Sequence, residues 1–211
     1  MGCVDRIDQC LKHPMKERKM NRRTFDKIVS YVGLGLALLL FTFAGLLNFG
    51  ASFANESVKT QLENQNIAFP AEDSLPADTK EQLKKWAGMT VNTGAMARDY
   101  SDLYIWEHMK SSSMAVTGKP ATYSEVSSTY MGLVRGGSTD VATITKYADL
   151  RETLFMGNTL RGMLLQAYAF GTMGVIAGYA AIAAFGAGLL FLLLAIAGFV
   201  HLRRTPKEAT I

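Results

Sequence analysis

The sequence predicts an all-α integral membrane protein with two transmembrane helices and an extracytoplasmic helical bundle between them. Two long stretches contain no Lys, Arg, Asp or Glu, and they run from Ile28 to Asn55 and from Gly162 to Leu202. Between them, no stretch shows the sustained alternation of apolar and polar residues that is typical of strands. The chain has 211 residues, which is enough for one ordinary domain in addition to the membrane helices.

Both uncharged stretches are long enough to cross a bilayer. A hydrocarbon core of about 30 Å requires roughly 20 apolar residues in a helix, and a segment exposed to lipid must satisfy its own backbone hydrogen bonds. We therefore predict transmembrane helices at residues 28–50 and 171–202. Buried helices of a soluble protein are the alternative, but such helices seldom lack charge over so many residues.

The distribution of charge predicts which side of the membrane each segment faces. Residues 1–27 contain eight Lys or Arg against four Asp or Glu, residues 203–211 three against one, and residues 51–161 eleven against thirteen. Because basic flanks stay on the cytoplasmic side, we expect a multi-pass plasma-membrane protein with both termini in the cytoplasm and residues 51–170 outside. The basic residues expected to anchor the helices are Arg22, Arg23, Lys27, Arg203 and Arg204.

The bilayer is the partner that this charge pattern implies. The net charge of +4 follows from the basic flanks, so we predict no nucleic-acid partner. Residues 1–19 are polar and without periodicity, and an initiator at Met20 would make them a start-site extension. The first apolar run is longer than a signal-peptide core of about 7–15 residues, so we expect an uncleaved anchor.

The first half of the segment between the spans predicts a loop and two helices. Pro70 and Pro76 lie in a stretch that we interpret as a loop. Asp78 and Glu81 have the spacing of a capping box, and the helix that they begin is expected to end near Gly88. A second helix is predicted from about Gly94 to Met114, where apolar residues recur at helical spacing.

The second half of this segment predicts two more helices. Thr122 and Glu125 form a second capping-box pattern, and Gly136-Gly137-Ser138 indicates a turn. Val141 is expected to begin a helix that continues toward the second span. The outer domain at residues 51–170 is thus predicted to be a bundle of about four helices.

Four segments resemble one family of proteins: Met20–Val29, Thr122–Ser127, Leu150–Gly162 and Ala177–Phe185. Together they are similar to a group of uncharacterised actinobacterial membrane proteins, and the resemblance extends over essentially everything from Met20 onward. Some members of that group carry the label "aromatic ring-opening dioxygenase LigA". The resemblance implies a plasma-membrane protein with two helices and an outer domain, and it implies no established activity.

The histidines bear on the dioxygenase label. Non-haem Fe(II) sites commonly use two His and one carboxylate. The predicted topology places His13 and His201 inside and His108 outside, so no second His can join His108 within one chain. We therefore predict neither a metal nor a cofactor. For His108 itself, two interpretations are a pH-sensitive or metal contact and a helix residue that is hydrogen-bonded within the domain.

Two polar residues precede the second span. Asn158 and Arg161 could contact a partner or substrate near the membrane. Alternatively, Arg161 extends to lipid phosphates and Asn158 packs against Asn48 or its surroundings.

A pattern of small residues lies inside the second span. Gly174 and Gly178, extended by Ala181, have the spacing that lets two helices approach closely. We expect this pattern to pack against a neighbouring helix. That helix belongs either to another subunit or to the first span of the same chain, which offers Gly33, Gly35 and Gly45.

Three hypotheses about function follow. The first is a non-enzymatic accessory or scaffold protein of the cell envelope that docks onto a larger membrane complex or a second copy of itself. The second is an extracytoplasmic sensory module, whose short C-terminal tail would require a partner to carry the signal. The third is the ring-opening dioxygenase of the family label.

Overall fold

The computed structural model describes residues 21–74 and 81–206, and all their regular elements are helical. Outside the helices, the backbone pairing of this part of the chain is one isolated bridge between Ala68 and Thr90. The all-α prediction is therefore confirmed. The predictions for the first 19 residues, Met20 and the N-cap Asp78 lie outside the described residues.

Six α-helices and a π-helical segment follow one another along the described chain. They are α1 (Arg22–Asn64), α2 (Glu81–Lys84), α3 (Gly94–Asp99), the π-helical segment (Tyr100–Ile105), α4 (Trp106–Thr117), α5 (Tyr123–Arg135) and α6 (Val141–Arg204). A short 3₁₀ turn at Glu72–Ser74 lies in the stretch that the prolines predicted to be a loop.

Two of these helices, α1 and α6, are long and apolar enough to cross a membrane. Only 11% of the residues in the most apolar window of α1, and 17% of those in α6, are buried. The core helix of a soluble protein would be mostly buried, so this exposure favours contact with lipid.

Helix α1 continues for several turns beyond residue 50, where we predicted the first span to end. The reason is a buried face at helical spacing, which is formed by Ala51, Ala54, Val58 and Leu62. These side chains recur at three- and four-residue intervals, so one stripe of the helix stays against neighbouring residues. Helix α1 therefore contributes its last turns to the domain that follows.

The chain divides into two compact units. We call Gly45–Ala181 the central unit. We call the other, whose described residues are 21–44 and 182–206, the hairpin unit.

In the hairpin unit, α1 and α6 are antiparallel. The rings of Tyr31 and Phe199 lie 5.2 Å apart, and those of Phe41 and Phe185 lie 5.5 Å apart. The beginning of α1 therefore lies beside the end of α6. The basic residues of both helices share this end of the unit: Arg22, Arg23, Lys27, Arg203 and Arg204.

The central unit has two clusters of buried apolar side chains. The larger joins α1 to the residues around α2 and α3, and it consists of Val58, Leu62, Phe69, Leu83, Val91, Met96, Ala97 and Leu164. The smaller joins α4, α5 and α6, and it consists of Met109, Val126, Leu150 and Leu154. Both clusters include residues of α6, which therefore packs against the rest of the unit along much of its length.

The predicted helix from Gly94 to Met114 is present, but it is not uniformly α-helical. It begins after Thr93, whose hydroxyl accepts a hydrogen bond from the Met96 amide, and it ends at Gly118, which has a φ of 75°. Between these ends, the chain widens into the π-helical segment. There the Trp106 amide donates to the carbonyl of Ser101, five residues earlier. Such segments are rare and are often found at functional sites.

The predicted capping box at α5 is confirmed. The Glu125 amide donates to the Thr122 hydroxyl at 3.3 Å, and the Thr122 amide donates to the Glu125 carboxylate at 2.7 Å. At the start of α6, the Thr143 amide donates to the Asp140 carboxylate at 3.0 Å. Both carboxylates accept hydrogen bonds in their ionised form, and these bonds lower the pKa of Glu125 and of Asp140.

We expect the two helix starts to weaken in acid. Because the folded-state pKa is depressed, each carboxylate gives its full stabilisation above the ordinary pKa of the group, and this contribution is lost as the pH falls through the folded-state value. The ordinary values are 4.5 for Glu125 and 3.8 for Asp140. The thermal midpoint of the wild-type chain should therefore fall between about pH 5.5 and pH 3.

Substitution of Glu125 and Asp140 tests whether their carboxylates cause the fall of the thermal midpoint in acid. The double variant Glu125→Gln, Asp140→Asn should show a smaller fall over this pH range than the wild type. Glu152→Gln, at an exposed position of α6, serves as the control and should keep the wild-type fall. An equal fall in the double variant would contradict the assignment.

Candidate functional site

Arg161 joins α6 to the π-helical segment. Its Nη2 lies 3.0 Å from Oδ1 of Asp102, and its Nε donates to the carbonyl oxygen of Ser101 at 3.3 Å. The guanidinium also lies over the Trp106 ring, 4.5 Å from its centroid. We expected either a partner contact or an extension to lipid phosphates, and the structure instead binds this side chain within the central unit. Only 21% of it is exposed.

Loss of this junction should destabilise the central unit. Arg161→Leu removes an ion pair, a hydrogen bond and a cation–π contact, which together contribute about 1–2 kcal/mol. Arg161→Lys should recover only part of this, because an ammonium cannot reproduce the forked contact. Denaturant unfolding of the full chain measures the change. Arg135→Leu, at an exposed position, is the control, and equal losses in the two leucine variants would contradict the argument.

Asn158 is exposed on α6 and is distant from Asn48. A Cβ atom placed on Gly178 would lie 3.8 Å from the Cβ atom of Ala51, so these two residues face each other. Asn48 lies about one turn before Ala51. Gly178 is roughly 30 Å along the helix from Asn158 at 1.5 Å per residue. The predicted packing of Asn158 against Asn48 is therefore wrong.

The small residues of α6 face α1 of the same chain. A Cβ atom placed on Gly174 would lie 2.9 Å from Oδ1 of Asn55, 3.1 Å from the Cβ atom of Ala54 and 3.3 Å from the carbonyl oxygen of Ala51. Ala181 is also buried. Of the two expected partners, the structure shows the chain's own first helix.

The contacts on α1 differ from the glycines that we named. Gly35 and Gly45 have open space around them, and Gly33 faces Ala195 within the hairpin unit. The residues of α1 that lie close to Gly174 are Ala51, Ala54 and Asn55.

A row of aromatic rings extends from the loop after α1 along the π-helical segment into α4. Successive ring centroids are 6.4 Å apart for Trp86 and Phe69, 5.1 Å for Phe69 and Tyr100, 5.0 Å for Tyr100 and Tyr104, and 5.3 Å for Tyr104 and His108. These separations are those of favourable aromatic pairs. His108 is exposed at the end of the row, so its contact in the structure is with a ring.

Between this row and α6 lies a cleft of about 360 Å³, which we call the aromatic cleft. One wall is formed by Tyr100, Tyr104 and His108, and the opposite wall includes Met156 and Leu160. Burial raises the pKa of Tyr100, so this phenol stays neutral. A cleft of this size with mostly apolar walls has the properties of a small-ligand site.

A glycine keeps this part of α6 close to α4. A Cβ atom placed on Gly157 would lie 2.6 Å from the sulfur of Met109. The Met109 side chain therefore occupies the space beside Gly157 and is buried there. Neither this role of Gly157 nor the cleft was predicted from the sequence.

Large apolar side chains are exposed on α6 beside the cleft. Phe155 is 57% exposed, Met156 51%, Leu160 46% and Met163 55%. We call these four residues, with the exposed Thr159 between them, the α6 stripe. All of them precede the second span that we predicted at residues 171–202. Exposed apolar patches of this kind mark interaction sites.

Of the three histidines, the structure describes His108 and His201. His108 belongs to the central unit, whereas His201 lies in the hairpin unit with its Nε2 3.9 Å from a carboxylate oxygen of Asp26. His13 lies outside the described residues. Within residues 21–74 and 81–206, no group of three or more His, Cys, Asp or Glu side chains could hold a metal ion.

The fold and the site together define a class of protein. It is an all-α chain with two helices long and apolar enough to cross a membrane, and its central unit contains an aromatic cleft. No family model, no curated protein and no solved structure shows a significant match to the chain.

Proposed function

We propose that this protein is a non-enzymatic, membrane-anchored accessory or scaffold protein of the cell envelope. In this proposal, α1 and α6 cross the plasma membrane, both termini are cytoplasmic, and residues 51–170 of the central unit lie outside. The central unit docks onto a larger membrane complex. The α6 stripe is the observation that carries the proposal, because an exposed apolar surface outside the bilayer is stabilised when a partner covers it.

The charges of the hairpin unit support this orientation. The basic residues of α1 and α6 lie at the same end of an antiparallel pair, as the positive-inside rule requires of two helices that cross the membrane in opposite directions. An antiparallel pair with its basic ends on opposite faces would have contradicted a two-span topology.

The contacts of Gly174 favour the α6 stripe as the docking surface, rather than the small residues Gly174, Gly178 and Ala181. Gly174 is occupied by α1 of the same chain, so it is not available for close approach by a helix of another subunit. Among the described residues, the α6 stripe is contacted by the Tyr123 ring, whose centroid lies 5.9 Å from that of Phe155, and its four apolar side chains stay about half exposed. An apolar helix of a partner membrane protein is the kind of surface that would pack along it.

Site-specific crosslinking tests the proposal. A photoactivatable amino acid at Thr159, inside the α6 stripe, is expected to capture a partner in native membranes. The control is the same amino acid at Thr145, because both threonines are exposed on α6 and donate their hydroxyl to the carbonyl four residues earlier. Capture of a second copy of the chain would identify a homo-oligomer. Monomer alone at both positions would count against docking.

Topology is tested separately. External protease added to intact cells should cut the chain between the spans, near Trp106, without lysis. A requirement for lysis would place the central unit in the cytoplasm and overturn the orientation.

A sensory module is the second candidate. The continuity of α6 favours it, since one helix of 64 residues begins in the central unit and includes the predicted second span. A signal partner would be required. Loss of a transcriptional response to an external stimulus on deletion of this protein would support this candidate. For the dioxygenase of the family label, stoichiometric iron in the purified protein would be the decisive result.

A further inference from the structure

The lining of the aromatic cleft indicates what it can bind. Apart from His108 and the phenols of Tyr100 and Tyr104, no ionisable side chain among the described residues contributes to its walls. The other polar groups are the hydroxyls of Ser112 and Thr153. Burial of a charged group here would leave that charge without an opposite partner. The part of a ligand that enters the cleft is therefore neutral and mainly apolar.

A second groove adjoins the cleft and lies nearer to the predicted second span. Leu164 lines both cavities. The second groove has a volume of about 290 Å³ and lies between α1 and α6. It includes Phe170, one residue before the predicted span.

The second groove differs from the cleft in its chemistry. Its polar lining consists of neutral side chains, namely Ser57, Gln61, Gln65 and Gln166. Amide side chains can donate and accept hydrogen bonds, which suits the ester and hydroxyl groups of a lipid at the membrane surface. An apolar cleft thus adjoins a neutral polar groove beside the predicted membrane surface.

The conformation of Arg161 keeps its positive charge away from both cavities. Arg161 is the last charged residue before the uncharged stretch, and its guanidinium is held by Asp102 and Ser101 on the π-helical segment. It lines neither cavity.

We propose that the aromatic cleft binds a single acyl or isoprenoid chain of a membrane lipid, whose ester or hydroxyl region lies in the glutamine-lined groove. The lipid comes from the outer leaflet, beside the predicted second span. This inference goes beyond docking and does not depend on it, although it requires the two spans and the outward orientation of the central unit.

Photolabelling of the full chain in native membranes tests this site. The probe is a phospholipid with a diazirine at the end of one acyl chain, and labelled peptides are identified by mass spectrometry. Labels are expected in peptides that contain Tyr104–Met109 and Met156–Leu164, in addition to the spans. A water-soluble diazirine fatty acid is the second arm, and it distinguishes a free acid from a bilayer lipid.

Substitution of a cleft residue provides the critical comparison. Thr153 is exposed and lines the cleft, so Thr153→Phe should fill it and reduce labelling of the cleft peptides about tenfold, as expected for a loss of 1.4 kcal/mol in binding. Thr159→Phe is the matched control, because Thr159 is also exposed on α6 with the same hydroxyl bond but does not line the cleft. Ser112→Phe, on the opposite side of the cleft, should act like Thr153→Phe.

The outcomes separate the two proposals. Unchanged labelling in both cleft-filling variants, or labels confined to the spans, would overturn the lipid site. Labelling by the free acid but not by the phospholipid would overturn the bilayer as its source. Met156 and Leu160 belong to both the α6 stripe and the cleft wall, whereas Thr153 lies outside the stripe. Capture of a partner from Thr159 is therefore expected to persist in Thr153→Phe.

Discussion

Replacement of Leu154 by alanine is expected to lower the free energy of unfolding by about 2–5 kcal/mol. Leu154 is 1% exposed and packs with Met109, Val126 and Leu150 in the smaller cluster of the central unit. Truncation removes buried methyl groups and leaves a cavity that the helices α4, α5 and α6 must close. Chemical unfolding of the full chain in detergent, followed by circular dichroism, measures the loss.

The control is the same substitution of leucine by alanine at an exposed position of the same helix. Leu160 is 46% exposed, so Leu160→Ala loses much less buried surface and should cost well under half of the loss at Leu154. Equal losses at the two positions would show that Leu154 is not a core residue.

Replacement of Gly174 by leucine is expected to destabilise the packing of α1 against α6 by about 1–3 kcal/mol. The new Cβ atom alone would lie 2.9 Å from Asn55 Oδ1 and 3.3 Å from the carbonyl oxygen of Ala51. A backbone carbonyl cannot move away as a flexible side chain can, so the two helices must separate. Thermal unfolding of the purified chain should show a lower midpoint.

The control for this substitution is Gly162→Leu. Gly162 lies on the same helix, and a Cβ atom there would meet nothing within 4 Å. Because leucine has a higher helix propensity than glycine by nearly 1 kcal/mol, this variant should be as stable as the wild type or more stable. A loss at Gly162 as large as that at Gly174 would contradict the close approach of the helices.

The helices could be predicted where their signals are local. The capping box of Thr122 and Glu125 and the left-handed Gly118 involve residues that are close in sequence, so their pattern determines a helix start or stop directly. The extension of α1 to Asn64 was missed. Its buried stripe depends on packing against a domain that is distant in sequence.

Contacts between residues that are far apart in the sequence could not be predicted. Arg161 and Asp102 are 59 positions apart, and nothing in the sequence around either residue indicates the other. The same holds for Gly174, because the spacing of small residues predicts a close approach but not the register of the partner helix. The structure supplies that register by placing Ala51 and Asn55 of α1 opposite α6.

The aromatic cleft was only partly visible in the sequence. Tyr100 and Tyr104 recur at helical spacing, and that spacing predicted a shared face of one helix. It did not predict that α6 would leave open space opposite this face. For His108, the pattern left two interpretations, which both stay predictions, and it did not predict the ring contact with Tyr104.

The π-helical segment makes this region tolerant of a change in length. Its hydrogen bonds join residues five apart, whereas those of an α-helix join residues four apart, so the segment accommodates one extra residue. Deletion of one residue between Tyr100 and Ile105 would restore α-helical hydrogen bonds, and His108 and Met109 would stay in the wall of the cleft. The same deletion within the α-helical part of α4 would rotate everything after it by about 100°, the angle that one residue contributes in a helix with 3.6 residues per turn.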